Sequence, residues 1–317
     1  MSDVAILNPR AGLAAERARA ALERSPRWRH AEVRVTTGPG EARRFAQEAA
    51  AAGAEHVLSI GGDGTANEIA WGLLGSRTIL GLVPMGSGNG LARTLGIPLR
   101  PARALAALAE AVPRAMDVGM VNGRPFLNVA GAGFDAEIGV AFHEHGRRGG
   151  RRGILTYVRL SLARSIAYRA ESWVLAAGAQ RFEGRALVVA FVNGRQYGAG
   201  AVLVPGARLD DGLLDVVVIE DAPFYELAWN ATRLFLGGIE RFRRYRHLPA
   251  STAVLIAARA VHHHRDGEPE AAATRLEASV VPRALRILVP RATAEDPLGP
   301  FLPGAGQTAF SSGQSSA

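Results

Sequence analysis

The residues of this chain best placed to do chemistry are three carboxylates and a set of glycine loops. Asp63 stands inside the run Ile60-Gly61-Gly62-Asp63-Gly64-Thr65-Ala66-Asn67-Glu68. Glycines directly after a buried strand let the backbone approach a ligand closely. A helix beginning there aims its N–H groups and positive dipole end at the same point. Phosphate suits such a place. A bare carboxylate would repel phosphate, so Asp63 makes sense with a magnesium ion between them. Thr65 reads as an N-cap or a phosphate contact, and Glu68 completes a capping-box pattern. The other two acids, in Asp266-Gly267-Glu268, read by themselves as an exposed hairpin turn.

Similar loops recur. Pro84-Met85-Gly86-Ser87-Gly88-Asn89-Gly90 again lies after a strand and before a helix. Asn8-Pro9-Arg10-Ala11-Gly12 and Thr36-Thr37-Gly38-Pro39-Gly40 are a third and a fourth. In a parallel sheet such loops share one crevice at the carboxyl ends of the strands, where ligands bind. The chain has no lysine, and arginine carries all its fixed positive charge. That excludes a Walker A loop, whose lysine is indispensable, so phosphate must be held by backbone N–H groups, arginine, hydroxyls and metal. With no cysteine either, disulfides, thiolate metal sites and cysteine nucleophiles are ruled out, and a reducing cytoplasm is the expected setting.

These loops need elements to position them. Short apolar runs at residues 4–7, 57–60 and 79–83 and an alternating run at 31–35 predict strands. Helical stretches at 14–24, 41–52, 66–74 and 91–95 alternate with them. That rhythm predicts a doubly wound α/β domain over residues 1–121. Beyond it, β-rich runs at 126–129, 173–176, 186–192, 214–219 and 254–258 are punctuated by Asn-Gly and Asp-Gly turns. They predict a mostly antiparallel β-sandwich over 122–290, with helices near 153–170 and 224–235 and a last strand returning to the first domain. The Pro-, Gly- and Ser-rich residues 291–317 read as a flexible tail.

Six motifs in order resemble the diacylglycerol kinase catalytic-domain family, which includes bacterial soluble lipid kinases and the sphingosine and ceramide kinases. They are Asn8-Pro9-x-Ala11-Gly12, Gly61-Gly62-Asp63-Gly64-Thr65-x-Asn67-Glu68, Pro84-x-Gly86-Ser87-x-Asn89 running on to Leu95-Gly96-Ile97-Pro98, Phe126-x-Asn128-x-x-Gly131-x-Gly133-Phe134-Asp135-Ala136, Asp211-Gly212-Leu213-Leu214-Asp215-Val216 and Asp266-Gly267-Glu268-Pro269. The resemblance spans residues 4–290. It implies ATP- and magnesium-dependent phosphorylation of a lipid hydroxyl in a cleft between two domains. Asn8, Thr36, Gly61, Gly62, Asp63, Gly64, Thr65 and Ser87 would lie against the nucleotide. Glu268 would accept the hydroxyl proton, with Asp266 and Asp63 at the catalytic magnesium. A second magnesium would be held by the Asp211 side chain and the carbonyls of Arg208 and Leu213. The resemblance also implies a homodimer. In the second loop Ser87 and Gly90 replace the threonine and aspartate of the commoner bacterial pattern, a departure toward the sphingosine kinases that leaves the substrate class open. NAD kinases share the Gly-Gly-Asp-Gly loop but not the later motifs.

The remaining signals are weaker. His262, His263 and His264 read as an exposed strand end, since alternate residues point to opposite faces and cannot converge on one ion. Arg147-Arg148-Gly149-Gly150-Arg151-Arg152 precedes an amphipathic stretch that would suit transient contact with an anionic membrane surface. The net charge of +8 agrees with that. Nucleic acid is not expected as a partner, although residues 241–246 mix arginine and aromatics.

Overall fold

The computed structural model describes residues 2–147, 164, 168–198 and 200–303. Four parallel strands open the chain: β1 (Asp3–Leu7), β2 (Glu32–Val35), β3 (His56–Gly61) and β4 (Ile79–Pro84), side by side as β2-β1-β3-β4. Every residue of β3 is buried, as expected for a central strand covered on both faces. Between the strands run α1 (Leu13–Glu23), α2 (Glu41–Ala51) and α3 (Asp63–Leu73), then α4 (Gly90–Thr94) and α5 (Pro101–Ala109). Helix α1 packs with α5, and α2 with α3, so the sheet is covered on both sides.

The second half holds β5 (Val112–Val121), β6 (Arg124–Phe126), β7 (Val129–Gly133), α6 (Phe134–Arg147), β8 (Glu171–Ala177), β9 (Gln180–Val192), β10 (Gln196–Gly198), β11 (Ala201–Val202), β12 (Leu214–Glu220), α7 (Phe224–Ala231), α8 (Arg233–Leu236), β13 (Tyr245–Ala250), β14 (Thr252–Arg265), β15 (Glu268–Val289) and α9 (Arg291–Ala294). Its strand pairs are antiparallel. Two main cores result. One lies around the parallel strands, and the other is built on Trp173, Phe126 and Phe191 in the sandwich.

Strand β15 joins the halves. Its first part pairs with β14, and its last residues pair with β4 in parallel, Arg286 against Ile79 and Ile287 against Leu80. Between them Pro282 and Arg283 break the register with β5, and Arg283 adopts φ +51°. The buried Asp117 fastens this bulge, one carboxylate oxygen accepting from the Arg283 N–H at 2.7 Å. Its other oxygen accepts from the Gly212 N–H at 2.6 Å.

Several expectations need correction. The tail does not begin at residue 291. Residues 291–303 pack back on the body, with Phe301 1% exposed and the Arg208 guanidinium donating to the carbonyls of Pro297, Gly299 and Phe301. Residues 304–317 fall outside the described part. The capping box at Thr65 does not form, because α3 begins three residues earlier than its pattern suggested. Gly62 is the N-cap, and Glu68 instead accepts from the Gly40 N–H at 3.0 Å. The histidine run is not exposed: His263 and His264 are both buried. The helix expected near 153–170 and most of the 147–152 basic run lie outside the described residues.

Candidate active site

Three helices, α1, α2 and α3, follow the carboxyl ends of β1, β2 and β3, and each starts on a glycine: Gly12, Gly40 and Gly62. A glycine N-cap has no side chain to satisfy the first-turn N–H groups, which remain available to an anion. Gly12 and Gly40 have φ of +55° and +82°, so the chain turns from strand into helix in a conformation that other residues resist.

The two central loops touch backbone to backbone. A Cβ on Gly86 would lie 2.9 Å from Gly62 Cα, and one on Gly61 would strike the Thr65 side chain at 2.6 Å. Asp63 bonds the loops together. Its two oxygens accept from the N–H groups of Asn89 at 2.7 Å and Gly90 at 2.9 Å, capping α4. Asn89 holds φ +52° and closes the loop by bonds to both the N–H and the carbonyl of Gly86. Burial pushes the Asp63 carboxyl up to about 6, and the neighbouring Asp266 charge adds to this.

Around this centre, Asn8 donates to the Thr65 hydroxyl at 2.9 Å. Thr36 is buried, with its hydroxyl on the Leu7 carbonyl, whereas Ser87 is exposed on its loop. Glu268 arrives from the second domain at the start of β15. A Cβ on Gly64 would sit 3.3 Å from Glu268 Oε1. The hairpin acid therefore lies against the second residue of α3.

Asp266 sits in the turn before it, at φ +48°. Its carboxylate accepts from the N–H groups of Leu127 (2.8 Å), Asn128 (2.9 Å) and Val129 (3.1 Å) and from Asn67 Nδ2 (2.9 Å). This bonding locks the hairpin onto both domains, a role the motif alone did not suggest. His264, two residues upstream, lies 2.8 Å from Asp135, which also accepts from the Tyr197 hydroxyl. Neither this network nor the buried Asp117 was picked out from the sequence. The signal for Asp117 was a lone acid inside an apolar strand, and for His264 its place in line with Asp266.

The second cluster lies elsewhere. Asp211 Oδ1 accepts from the Leu213 N–H at 3.0 Å, and burial raises its carboxyl above the ordinary aspartate value, with Asp215, Asp117 and Asp210 adding to this. Among the described residues, the one set of three acids or histidines whose ligand atoms lie within 4.8 Å of one another is Asp3, Glu55 and His56. It sits at the opposite ends of β1 and β3, where Arg27 already bonds Asp3.

Residues 4–121 match the diacylglycerol kinase catalytic domain, and 128–289 match the YegS C-terminal NAD kinase beta sandwich-like domain. A Pseudomonas putida protein named "Probable lipid kinase YegS-like" is 37% identical over 82% of this chain and 85% of its own length. The chain belongs to the diacylglycerol kinase catalytic-domain family. It is a kinase of the lipid-kinase group. A similarly named Pseudomonas fluorescens protein is 36% identical over 87% of this chain and 91% of its own length. A solved structure of a diacylglycerol kinase from Bacillus anthracis shares the fold, with TM-score 0.69 and 20% identity over 92% of this kinase and 97% of that chain. An Archaeoglobus fulgidus NAD kinase solved with ATP shares it more loosely, at TM-score 0.51 and 14% identity over 92% of this chain and 94% of that one. Among the described residues of the kinase, no helix is long and apolar enough to cross a membrane.

Proposed function

We propose that this kinase transfers the γ-phosphate of ATP to a lipid hydroxyl, with magnesium, at the cytoplasmic face of the membrane. The observation that carries the reading is the position of Glu268 against Gly64, at the head of a glycine-capped helix. Phosphoryl transfer needs placement and charge neutralisation more than covalent chemistry. The N–H groups behind Gly12, Gly40 and Gly62 hold the phosphates, with Asn8, Thr36, Thr65 and Ser87 around the nucleotide. The acceptor hydroxyl approaches from the sandwich side, and Glu268 takes its proton as the new ester bond forms.

The donor set fits magnesium. Asp63 and Asp266 are acids close enough for one to raise the other, and the N–H groups that bond them are neutral. A divalent cation would relieve that crowding of charge. Asp63, whose two oxygens each accept one loop N–H, would hold it directly, while Asp266, with two N–H groups on each oxygen, would add its charge beside it, and when bound the ion neutralises the phosphate oxygens. The turn at Asp211, with the carbonyls of Arg208 and Leu213, would take a second, structural ion.

The test is incubation with radiolabelled ATP, magnesium and separate samples of diacylglycerol, sphingoid base, ceramide and phosphatidylglycerol, followed by thin-layer separation. One lipid becomes labelled, and Glu268→Gln lowers kcat by about 100-fold or more while ATP binding persists. Full activity in that variant, or NADP formation from NAD in place of lipid labelling, overturns the proposal.

A further inference from the structure

Helices α7 and α8 are built inside out. In α7 the exposed positions include Phe224, Tyr225, Ala228 and Trp229, spaced as one helix face that the capping Thr232 continues, while Glu226 and Leu227 turn inward. Glu226 is held from behind by Arg243 and Arg244. Neither helix has a fully buried residue. Tyr225 is 71% exposed, Trp229 73%, Phe235 53% and Leu236 85%. At about 200 Å² for a whole aromatic side chain, these groups present roughly 600 Å² of apolar surface, the upper end for a patch on a monomer. An ordinary surface helix shows water its polar side.

We infer that this face is a docking surface for an anionic phospholipid bilayer. Charge and composition both point to that occupant. Residues 224–246 contain five arginines against two glutamates. Arg243 and Arg244 pair with Glu226 and Arg246 with Glu220, which leaves the charges of Arg233 and the exposed Arg241 in this segment for a partner. Apolar and amphipathic rings flanked by arginine match the boundary of a bilayer, where rings enter the headgroup layer and guanidinium groups meet phosphate. Leu234 of α8 packs against the same apolar cluster as Tyr197, whose hydroxyl bonds Asp135, so the patch is anchored to the core that also supports that network. The inference rests on a lipid substrate only for its purpose, since docking itself needs neither ATP nor turnover.

Trp229 supplies its own probe. Trp28 and Trp173 are 1% and 2% exposed, and Trp71 is stacked under Arg43, so Trp229 dominates any response to a quencher in the water. Full-length protein without nucleotide is mixed with vesicles of phosphatidylcholine, with or without phosphatidylglycerol. The expected result is sedimentation with the anionic vesicles, a blue shift, protection from acrylamide, and weakening as salt is raised. Trp229→Glu combined with Leu236→Glu, melting as the wild type does, loses binding by at least about tenfold. The same variant loses turnover on vesicle-borne lipid but keeps it on detergent-dispersed lipid. Equal vesicle binding by variant and wild type overturns the inference, as does no binding by either. So does a change from dimer to monomer in the variant, which would assign the face to a second copy. Vesicle binding without phosphorylation of any lipid would leave docking standing and remove the proposed reaction alone.

Discussion

Replacing Asp266 by Asn tests whether this acid holds the cleft together or serves only a metal. Asn tolerates the left-handed backbone, and Asn-Gly suits the hairpin turn, so the substitution changes the carboxylate and little else. In the native site one oxygen serves the N–H groups of Asn128 and Val129, and the other serves Leu127 and Asn67. Whichever way the amide sits, its NH₂ faces two donors and two bonds are lost. A hydrogen bond to a charged group is worth about 1.5–3 kcal/mol, and bonds on one group do not add fully, so the loss should be about 3 kcal/mol. For a chain of 317 residues, with an unfolding entropy of about 2.1 cal/mol/K per residue, that lowers Tm by about 4–5 °C. The assay is thermal melting without nucleotide or magnesium, with Glu268→Gln as comparison. Glu268 is exposed, so its variant should melt within about 0.5 kcal/mol of wild type. A pure metal ligand predicts no change for either variant in the absence of metal. An Asp266→Asn melt indistinguishable from wild type would refute the structural role argued for it.

Other consequences can be measured alongside. The Asp63 carboxyl, raised from 3.8 to about 6, binds its proton more tightly in the folded state. Its contribution to stability is therefore greatest below about pH 4 and is lost as pH rises through about 6. At about 1.36 kcal/mol per pH unit the loss is up to about 3 kcal/mol. Urea melts from pH 4 to 7 without metal should show this fall in wild type and flatten in Asp63→Asn, and equal slopes would refute it. Gly86→Ala should weaken ATP binding by about tenfold or more, because its Cβ meets backbone at 2.9 Å, while Gly38→Ala, whose Cβ meets nothing within 4 Å, should bind normally in the same titration calorimetry. Phe301→Ala should cost about 3–5 kcal/mol in chemical denaturation, since the ring is buried, whereas a mobile tail predicts no change.

The parallel half of the fold was legible because its strands are short apolar or alternating runs, each followed by a loop containing glycine. Even so, the start of α3 was misplaced. A Thr-to-Glu spacing is a good capping box only where the chain does not already enter the helix on a glycine, and Gly62 does so. Strand β15 was foreseen only as a last strand returning to the first domain, and its full course from Glu268 to Val289 was hidden for a different reason. Its residues, rich in Ala, Glu and Arg with a proline inside, carry little β propensity, and pairing with β14, β5 and β4 overrides it. Helices α5 and α6 and strand β5 escaped notice as well. Within the site, the glycines and acids were readable as types, but not the partners of the acids. Hydrogen bonds donated by the N–H groups of residues 127–129 to Asp266 join segments some 140 positions apart, and no local pattern encodes them. The buried histidine was misjudged because alternation says which side a residue faces, not whether another layer covers that side.

The course of β15 also bears on how the chain is made. Strand β4 is bordered by residues 286–287, which are synthesised some two hundred positions later. Until they leave the ribosome, the emerging nucleotide-binding half has an open edge at the middle of its final sheet, and an open edge recruits other chains. A gene cut after residue 121 would leave that half permanently unfinished. The two halves are thus separate in chemistry but not in biogenesis, and the turn bearing Glu268 is threaded on the same strand whose arrival closes the sheet.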